Sequence, residues 1–369
     1  MPPANRKPRL LVVSNYNAVG PSRPEAEIYL KLAERGFGIT VITHRDSEYV
    51  RRFRESGIDV LYGHPVGRND KAAQAIIREE LTGGEPYDVL MLYNSRAIAN
   101  GVRAAEGTDV TVVVYRGYTG DLRWYDPTVY LKIYHPRVDA ILCNNGGVRE
   151  HIRKNRWWAS EDITRVVFKG HDLSWYEGVE PIDKTALGVP ADAPMVVCVA
   201  NAAKFKGVRY LLQAMAHVDP TLDAHLVLCG NNMDTPAHRR IAEATPHPEH
   251  IVFPGYRDDV LSIVAAADVK VLPSIYGESL TKAAFEAMAV GTPVLITDIP
   301  GNRELVEHGV SGWKVPPKDP AAIARALETL LPDTRLRERL SRAARERLDT
   351  VLSHRRTVDE MEAFFVGLQ

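Results

Sequence analysis

Residues 269–294 read VKVLPSIYGESLTKAAFEAMAVGTPV, a short apolar run followed by a polar loop and a helical pattern. The run Val269–Leu272 has the length and the β-branched content of a buried strand. A helix is predicted over about Thr281–Val290, because Gly291 is favourable just past a helix end and Pro293 cannot continue a helix. Together the strand, loop and helix form the repeating unit of a parallel sheet that is covered by helices.

The same unit recurs along the whole chain. A first series of strands is predicted at Leu10–Ser14, Ile39–Thr43, Asp59–Tyr62, Val89–Leu92, Val110–Tyr115, Ala140–Cys143 and Arg165–Phe168. After a polar stretch that contains prolines, a second series is predicted at Met195–Val199, His225–Leu228, Ile251–Phe253, Val269–Leu272, Val294–Thr297 and Gly312–Val315. Helical patterns separate the strands, and in the first of them, Pro24–Arg35, Pro24 is expected to lie in the first turn.

The length of 369 residues exceeds the size at which a single hydrophobic core stops growing. We therefore predict an α/β fold of two doubly wound, Rossmann-like domains that face each other across a cleft. The expected limits are residues 1–172 for the first domain and residues 173–352 for the second. A C-terminal helix, residues 353–369, is expected to pack back on the first domain.

The composition is typical of a globular protein, with 45% hydrophobic and 25% charged residues. A formal net charge of −1 gives no overall basic field, so we expect no nucleic-acid partner. The first 170 residues nevertheless carry 25 Lys and Arg against 20 Asp and Glu, which suits an anionic substrate or a membrane surface. Cys143, Cys198 and Cys229 lie in or beside apolar runs and are expected to be buried thiols. Because we find neither a signal peptide nor a run of about 20 apolar residues, we expect a cytoplasmic protein, at most peripheral on the inner face of the membrane.

The loop and helix after Val269–Leu272 carry the residues best suited to chemistry, because open parallel sheets bind ligands beyond the carboxyl ends of their strands. The backbone N–H groups of Ser279, Leu280 and Thr281 lie at the helix start, and such a helix start attracts phosphate. Glu278 precedes the helix and Glu286 lies in its second turn, so both carboxylates are expected to accept hydrogen bonds from ligand hydroxyl groups. The neighbours of Glu286 are apolar, which argues against a solvated surface glutamate.

This segment resembles the signature of the family-4 glycosyltransferases, retaining enzymes of the GT-B fold (glycosyl transferases group 1), in which two glutamates are separated by seven residues. The similarity covers roughly residues 195–330 and continues through Gly291–Val294, Gly301–Val306, Gly309–Gly312 and Pro316–Pro320. The resemblance implies that Glu278 contacts the transferred sugar and that Glu286 holds the ribose of the donor. It also implies that the amides after Glu278 hold the diphosphate, although the family usually has glycine where this chain has Ser279 and Thr281.

Lys206, in the segment NAAKFKG at 201–207, resembles the lysine before glycine with which the family binds the diphosphate. A cation at this position neutralises the charge that grows on the leaving diphosphate. Five residues earlier the family commonly has arginine, and this chain has Asn201, which is expected to contact the donor. Stabilisation of that charge is therefore expected to depend on Lys206, alone or with Lys204, and a solvated lysine is the alternative.

Three other positions are expected to contact the donor. Asn231 and Tyr256 lie in loops that resemble those lining the nucleobase pocket of the family, although Tyr256 equally suits a packing role. Gly20, in the predicted loop Asn15–Arg23, stands where relatives often have two glycines beside the donor phosphates.

Two basic features of the first half have alternative interpretations. Arg116 follows the strand Val110–Tyr115 where relatives often place a histidine near the sugar, and it suits an acidic sugar, the acceptor, the donor phosphate or a structural ion pair. The stretch Arg149–Trp158 combines four basic side chains with Trp157 and Trp158, which suits peripheral contact with anionic lipid head groups. A capped surface helix with tucked indoles is the interpretation that we favour for this stretch.

The resemblance implies retaining transfer of a sugar from a nucleotide diphosphate sugar to a glycan, a lipid-linked glycan or a small molecule. We expect no cofactor and no metal requirement, because the chain contains no Asp-x-Asp triplet. Alternatives with the same fold are a nucleotide-sugar epimerase, a glycosyl phosphorylase and a non-catalytic nucleotide-sugar-binding protein. A nicotinamide oxidoreductase is disfavoured, because no Gly-x-Gly-x-x-Gly follows the first strand.

Overall fold

The computed structural model describes residues 6–17, 19–120, 122–156 and 161–368. By its internal contacts the chain divides into unit 1, formed by Met1–Gly170 with His354–Gln369, and unit 2, formed by His171–Ser353. Each unit contains one parallel sheet with helices packed on it. The predicted α/β fold with two doubly wound, Rossmann-like domains is confirmed.

Unit 1 contains a seven-stranded sheet in the order β3-β2-β1-β4-β5-β6-β7, and all paired strands are parallel. Its strands are β1 (Arg9–Val13), β2 (Gly38–Thr43), β3 (Asp59–Tyr62), β4 (Val89–Leu92), β5 (Thr111–Arg116), β6 (Ala140–Cys143) and β7 (Thr164–Val166). Its first helices are α1 (Val19–Glu34), α2 (Val50–Glu55), α3 (Lys71–Thr82), α4 (Ser95–Ala104) and α5 (Gly146–Asn155). Asn94 begins α4 by accepting hydrogen bonds from the amides of Arg96 and Ala97, which satisfies donors that a helix start leaves unpaired.

Unit 2 contains a six-stranded parallel sheet in the order β10-β9-β8-β11-β12-β13. Its strands are β8 (Met195–Val199), β9 (His225–Cys229), β10 (Ile251–Gly255), β11 (Val269–Leu272), β12 (Val294–Thr297) and β13 (Trp313–Val315). Its helices are α6 (Val208–Met215), α7 (Pro236–Glu243), α8 (Val260–Ala265), α9 (Lys282–Val290), α10 (Pro320–Leu330) and α11 (Thr334–Thr350).

The last helix, α12 (His354–Val366), belongs to unit 1 although it follows unit 2 in the chain. Val358, Met361 and Phe365 are at most 1% exposed and complete a core formed by residues of β1, β2 and α1. Glu362 of α12 accepts a hydrogen bond of 2.6 Å from Arg35, just past the end of α1. The core of unit 1 therefore contains side chains from both ends of the sequence.

The predicted position of Pro24 in a first helical turn is wrong. Helix α1 begins at Val19, so Pro24 lies inside it, and Gly20 lies in the helix rather than in a loop. Pro24 is the sixth residue of α1 and has no N–H group, so the helix loses the hydrogen bond that an amide at this position would donate to the carbonyl of Gly20.

Burial confirms the prediction for the cysteines: Cys143, Cys198 and Cys229 are all free and buried. Burial raises the pKa of Cys143 to about 12 and that of Cys198 and Cys229 to about 11, so all three remain thiols near neutral pH. Within the described part of the chain, no helix is both long enough and apolar enough to cross a membrane.

Candidate functional site

The central strands of unit 2 form a topological switch point. Strands β8 and β11 are neighbours in the sheet, but the chain leads from β8 to β9 on one side and from β11 to β12 on the other. At such a point the loops after the two strands diverge and leave a crevice at the carboxyl edge of the sheet. The loop after β8 carries Lys206 and the loop after β11 carries Glu278, so this edge collects the residues that the sequence analysis singled out.

Glu278 and Lys206 form an ion pair at this edge. The Lys206 Nζ atom lies 2.5 Å from Glu278 Oε1, although 72 residues separate the two in the chain. The same carboxylate accepts hydrogen bonds of 2.8 Å from the Ser274 hydroxyl and 3.1 Å from the Thr281 hydroxyl. With Glu278 only 8% exposed, its carboxylate is held by three donors in a fixed orientation.

Close backbone packing joins the two loops. The amide of Ile275 donates to the carbonyl of Phe205 at 2.8 Å. Gly207 has a φ of 68°, and a Cβ atom on it would lie 2.0 Å from the carbonyl oxygen of Pro273. A Cβ atom on Gly301, in the loop after β12, would lie 1.7 Å from the carbonyl oxygen of Glu278. The glycines therefore allow the backbones to approach closely enough to position Lys206 and Glu278.

Helix α9 begins at Lys282, one residue after the predicted start, with Thr281 as its N-cap residue. The Thr281 side chain does not cap the helix; its hydroxyl contacts Glu278 and the carbonyl of Ser279 instead. The side chains of Ser279, Leu280 and Thr281 are half-buried around this helix start. An amino end without a side-chain cap beside a lysine is suited to binding an anion such as a diphosphate.

Glu286 lies in the second turn of α9 and is 8% exposed, so it is not a solvated surface glutamate. Its carboxylate pairs with Lys282 one turn earlier. Beneath it in β11 lies Lys270, which is fully buried and which the sequence analysis missed. Burial lowers the pKa of Lys270 to about 8, opposed by the nearby Cys198, Glu286 and Cys229. The available signal was a single lysine inside the apolar run VKVL.

The loops after β8, β9 and β10 meet at the same edge. Gly230 donates its amide to the carbonyl of Gly255 at 2.8 Å, and a Cβ atom on Gly230 would lie 1.7 Å from the carbonyl oxygen of Ala200. Asn201 closes a turn by accepting a hydrogen bond of 3.2 Å from the amide of Ala203. Asn231 is exposed after β9.

Tyr256 is 66% exposed just past the end of β10, so the packing role that the sequence left open does not apply. The exposed ring offers a flat apolar face at the edge where the other candidate donor residues lie.

A cavity of about 780 Å³ lies in unit 1, and four of its lining side chains are basic. They are Arg68, Arg116, Arg123 and Lys132, and among the lining residues that the structure describes one, Asp126, is acidic. Arg116 is 8% exposed, donates a hydrogen bond of 2.8 Å to the carbonyl of Tyr118 and lies over the Tyr118 ring. The cavity therefore combines positive charge with aromatic surface, a lining suited to an anionic ligand.

Unit 1 also contains a buried carboxylate that the sequence analysis missed. Glu25 in α1 accepts a hydrogen bond of 2.6 Å from Ser14, the residue after β1, and lies 3.6 Å from Lys169. Burial raises the pKa of Glu25, and Lys169 and Ser14 oppose the shift. The sequence indicates this burial only weakly, because a glutamate in the first turns of a helix is ordinarily a surface residue that is stabilised by the helix dipole.

Intramolecular pairs engage part of the basic stretch Arg149–Trp158. Arg149 contacts Asp162 at 2.8 Å, and Arg153 lies 3.7 Å from the same carboxylate. Trp157 and Trp158 lie outside the described residues. Asp162 therefore neutralises part of the positive charge of this helix. The membrane contact stays a prediction.

Residues 179–347 match the model of the protein family Glycosyl transferases group 1. The lipopolysaccharide core biosynthesis glycosyltransferase LpsE of Rhizobium meliloti is 28% identical over 323 residues, which cover 86% of this chain and 87% of LpsE. A D-inositol 3-phosphate glycosyltransferase of Xylanimonas cellulosilytica is 34% identical over 225 residues, which cover 56% of this chain and 52% of that enzyme. Among solved structures, HepE of Anabaena in complex with UDP has a TM-score of 0.77 at 18% identity, over 97% of this chain and 100% of HepE.

Proposed function

We propose that this chain, a GT-B glycosyltransferase whose second unit matches group 1, transfers a sugar from a nucleotide diphosphate sugar to an anionic acceptor with retention of configuration. The observation that carries the proposal is the Lys206–Glu278 pair at the switch point of unit 2, beside the start of α9. A lysine, a carboxylate and a helix start are the groups that a diphosphate-linked sugar requires. The position of the pair at the carboxyl edge of the sheet, beside a helix start that has no side-chain cap, supports a binding site.

The donor diphosphate is proposed to bind at the start of α9, at the amides around Ser279, Leu280 and Thr281. Glu286, one turn further along the helix, would accept hydrogen bonds from the ribose hydroxyls. The exposed ring of Tyr256 and the loop at Asn231 would contact the nucleobase. HepE has been solved in complex with UDP-glucose, so UDP-glucose is our first choice of donor for testing.

Lys206 is proposed to change partner when the donor binds. In the structure its charge is balanced by Glu278 at 2.5 Å. A diphosphate would draw Lys206 away, and Glu278 would then accept hydrogen bonds from hydroxyls of the transferred sugar. Lys206 and the helix start would stabilise the charge on the leaving diphosphate, so we propose that transfer requires no metal. Departure and attack occur on one face of the sugar, with a donor phosphate oxygen accepting the acceptor proton.

The basic cavity of unit 1 is proposed as the acceptor site. Its four cationic side chains against one acidic side chain favour a phosphorylated or acidic glycan, free or lipid-linked. Arg116 would then orient an acidic group of the acceptor, which is one of the roles that the sequence left open. The two relatives support this acceptor class, since one is named for lipopolysaccharide core biosynthesis and the other for D-inositol 3-phosphate.

The test replaces Glu278 by glutamine in the full-length protein, which keeps the volume and removes the charge. Because Lys206 loses its partner, we expect UDP to bind several-fold more tightly by calorimetry. Transfer from UDP-glucose to D-inositol 3-phosphate or lipopolysaccharide core oligosaccharide should fall by about 10²-fold, the scale of removing a positioned polar group. Glu338→Gln is the control, since Glu338 is an exposed residue of α11 outside the loops after β8, β11 and β12. Near wild-type transfer by the Glu278 variant, or unchanged UDP binding, would contradict the proposal.

A further inference from the structure

A group of histidine and acidic side chains lies at the amino edge of the sheet of unit 2, away from the loops described above. Parallel pairing aligns Leu226 of β9 with Ile251 of β10. The residues that precede this pair, His225 and His250, are therefore brought side by side. Their rings stack at a centroid distance of 4.1 Å, and His247 stacks on His250 from the other side at 4.7 Å.

Two carboxylates converge on the same ring nitrogen. The His250 Nε2 atom lies 3.6 Å from Asp223 Oδ1 and 3.9 Å from Glu249 Oε1. His225 Nε2 lies 4.0 Å from the same Asp223 oxygen, and His247 Nδ1 lies 3.2 Å from the same Glu249 oxygen. His250 thus belongs to two groups of three potential ligands, one with Asp223 and His225 and one with His247 and Glu249.

His225 provides independent support, because it is 5% exposed and neither of its ring nitrogens has a hydrogen-bond partner. A buried polar atom without a partner costs free energy, and native structures rarely leave one unexplained. The Nε2 atom of this ring points to the Asp223 and His250 group.

We propose that Asp223, His225 and His250, with His247 and Glu249 as adjacent ligands, form a binding site for a divalent transition-metal ion of the zinc class. Imidazole nitrogen together with carboxylate oxygen is a ligand set that Zn²⁺ takes, whereas Mg²⁺ prefers oxygen ligands alone. Tetrahedral Zn²⁺ with bonds of about 2.0–2.2 Å separates its ligand atoms by about 3.3–3.6 Å. The four nitrogen–oxygen separations given above are 3.2–4.0 Å, and all ligand atoms within each group of three lie within 4.8 Å of one another, so modest side-chain shifts would bring them to that spacing.

The site lies at the edge of the sheet opposite to the proposed donor site, because His225 is the first residue of β9 and His250 precedes β10, while Lys206 and Glu278 follow their strands. Its role is therefore structural. The ion would join the start of β9 to the segment before β10, and would give the buried Nε2 atom of His225 a partner. Binding to the folded state alone raises the unfolding temperature.

The experiment uses the full-length protein without a purification tag, stripped with EDTA and titrated with ZnCl₂ or MgCl₂. Metal content is measured by atomic emission after dialysis, affinity by competition with a chromophoric chelator, and stability by thermal unfolding. We expect one tightly held Zn²⁺ per chain and a rise in the unfolding temperature with Zn²⁺ but not with Mg²⁺.

Two variants and one control test the ligands. His250→Ala should weaken Zn²⁺ binding by at least about 10-fold and abolish the rise in unfolding temperature. Asp223→Asn should also weaken binding, and asparagine is tolerated at this position, where φ is 50°. His308→Ala removes an exposed histidine of the same unit outside the cluster and should bind Zn²⁺ as the wild type does.

Three outcomes would overturn the proposal: a wild-type protein that retains no Zn²⁺, Asp223→Asn and His250→Ala variants that bind it as tightly as the wild type, or equal stabilisation by Mg²⁺. Retained UDP binding shows that a variant is folded, so a loss of Zn²⁺ affinity can be assigned to the ligands. If His250→Ala does not fold, Asp223→Asn decides by itself.

Discussion

Lys270 is a charged residue at the centre of an apolar sheet. It lies in β11, where it pairs with Val294 on one neighbouring strand and Val197 on the other, and none of its surface is exposed. Its pKa of about 8, lowered chiefly by burial, means that the folded state binds the Lys270 proton less tightly than the unfolded chain does. The buried charge of Lys270 therefore destabilises unit 2 near neutral pH. The nearby Glu286 carboxylate offsets part of this cost, because it favours the charged form of Lys270.

Replacing Lys270 by methionine is expected to raise the free energy of unfolding by about 3 kcal/mol at pH 7, because the Lys270 pKa is about 8 in the folded state against 10.5 for an ordinary lysine. Below pH 8 the lysine is protonated in both states and the full cost is present. Between pH 8 and 10.5 the unfolded chain binds more protons, so the wild type recovers stability and the difference shrinks. Denaturant unfolding of both proteins at pH 7 and pH 10 measures this; a difference that does not shrink at pH 10 would refute the explanation.

The sequence predicts the position of single site residues where neighbouring residues determine it, but not their contacts with distant parts of the chain. Glu278 and Glu286 could be singled out because the order of strand, loop and helix places them, and both are buried at 8% exposure. The partnership of Glu278 with Lys206 could not be predicted, because it depends on β8 and β11 becoming neighbours across 72 residues of chain. The Asn201 side chain closes the turn of its own loop by accepting a hydrogen bond from the Ala203 amide, and its expected contact with the donor stays a prediction.

At the scale of the element, the loops after β11 and β12 depend on Gly301. The backbone at Gly301 lies close to the carbonyl group of Glu278, and a Cβ atom on residue 301 would lie 1.7 Å from that carbonyl oxygen. No rotation of a side chain relieves such a clash, because both partners are backbone. The loop that carries Glu278 would have to move.

Gly301→Ala is therefore expected to lower transfer from UDP-glucose by about 10²-fold, the effect of displacing a catalytic group by roughly 1 Å. Gly309→Ala is the matched control: its φ is 73° and no atom lies within 4 Å of the added Cβ, so it costs roughly 1–2 kcal/mol of backbone strain and should leave turnover near wild type. Steady-state kinetics of both variants measure the contrast. Equal losses would show that the approach at Gly301 has no specific role.

Strands were predicted more accurately than helix starts. The observed strand limits agree with the predicted ones to within two residues, because short β-branched runs between polar loops mark buried parallel strands unambiguously. The start of α1 was misplaced because Pro24 is a strong signal for a first turn, and the local pattern did not show that the helix continues back to Val19. That error also put Gly20 in a loop.

At the scale of the whole molecule, the hydrophobic cores of unit 1 and unit 2 are built from different parts of the chain. The large hydrophobic cluster of unit 2 contains residues between Val196 and Leu340, whereas a cluster of unit 1 joins residues near the amino terminus to α12. Phe365 in α12 is fully buried against this first core. Damage to α12 should therefore destabilise unit 1, although α12 follows unit 2 directly in sequence.

Phe365→Ala is expected to lower the stability of unit 1 by about 3–5 kcal/mol, the cost of truncating a buried phenylalanine. Leu330→Ala, at a position equally buried in the core of unit 2, is the matched control and should cost about 2–5 kcal/mol there. Calorimetric unfolding of the full-length variants, with and without UDP, separates the two effects, because UDP proposed to bind unit 2 raises the transition of that unit. The Phe365 variant should lower the transition that UDP leaves unchanged, and the Leu330 variant should lower the one that UDP raises. If Phe365→Ala instead lowers the UDP-sensitive transition, α12 does not stabilise unit 1 alone, and the assignment of the chain's last helix to the first core fails.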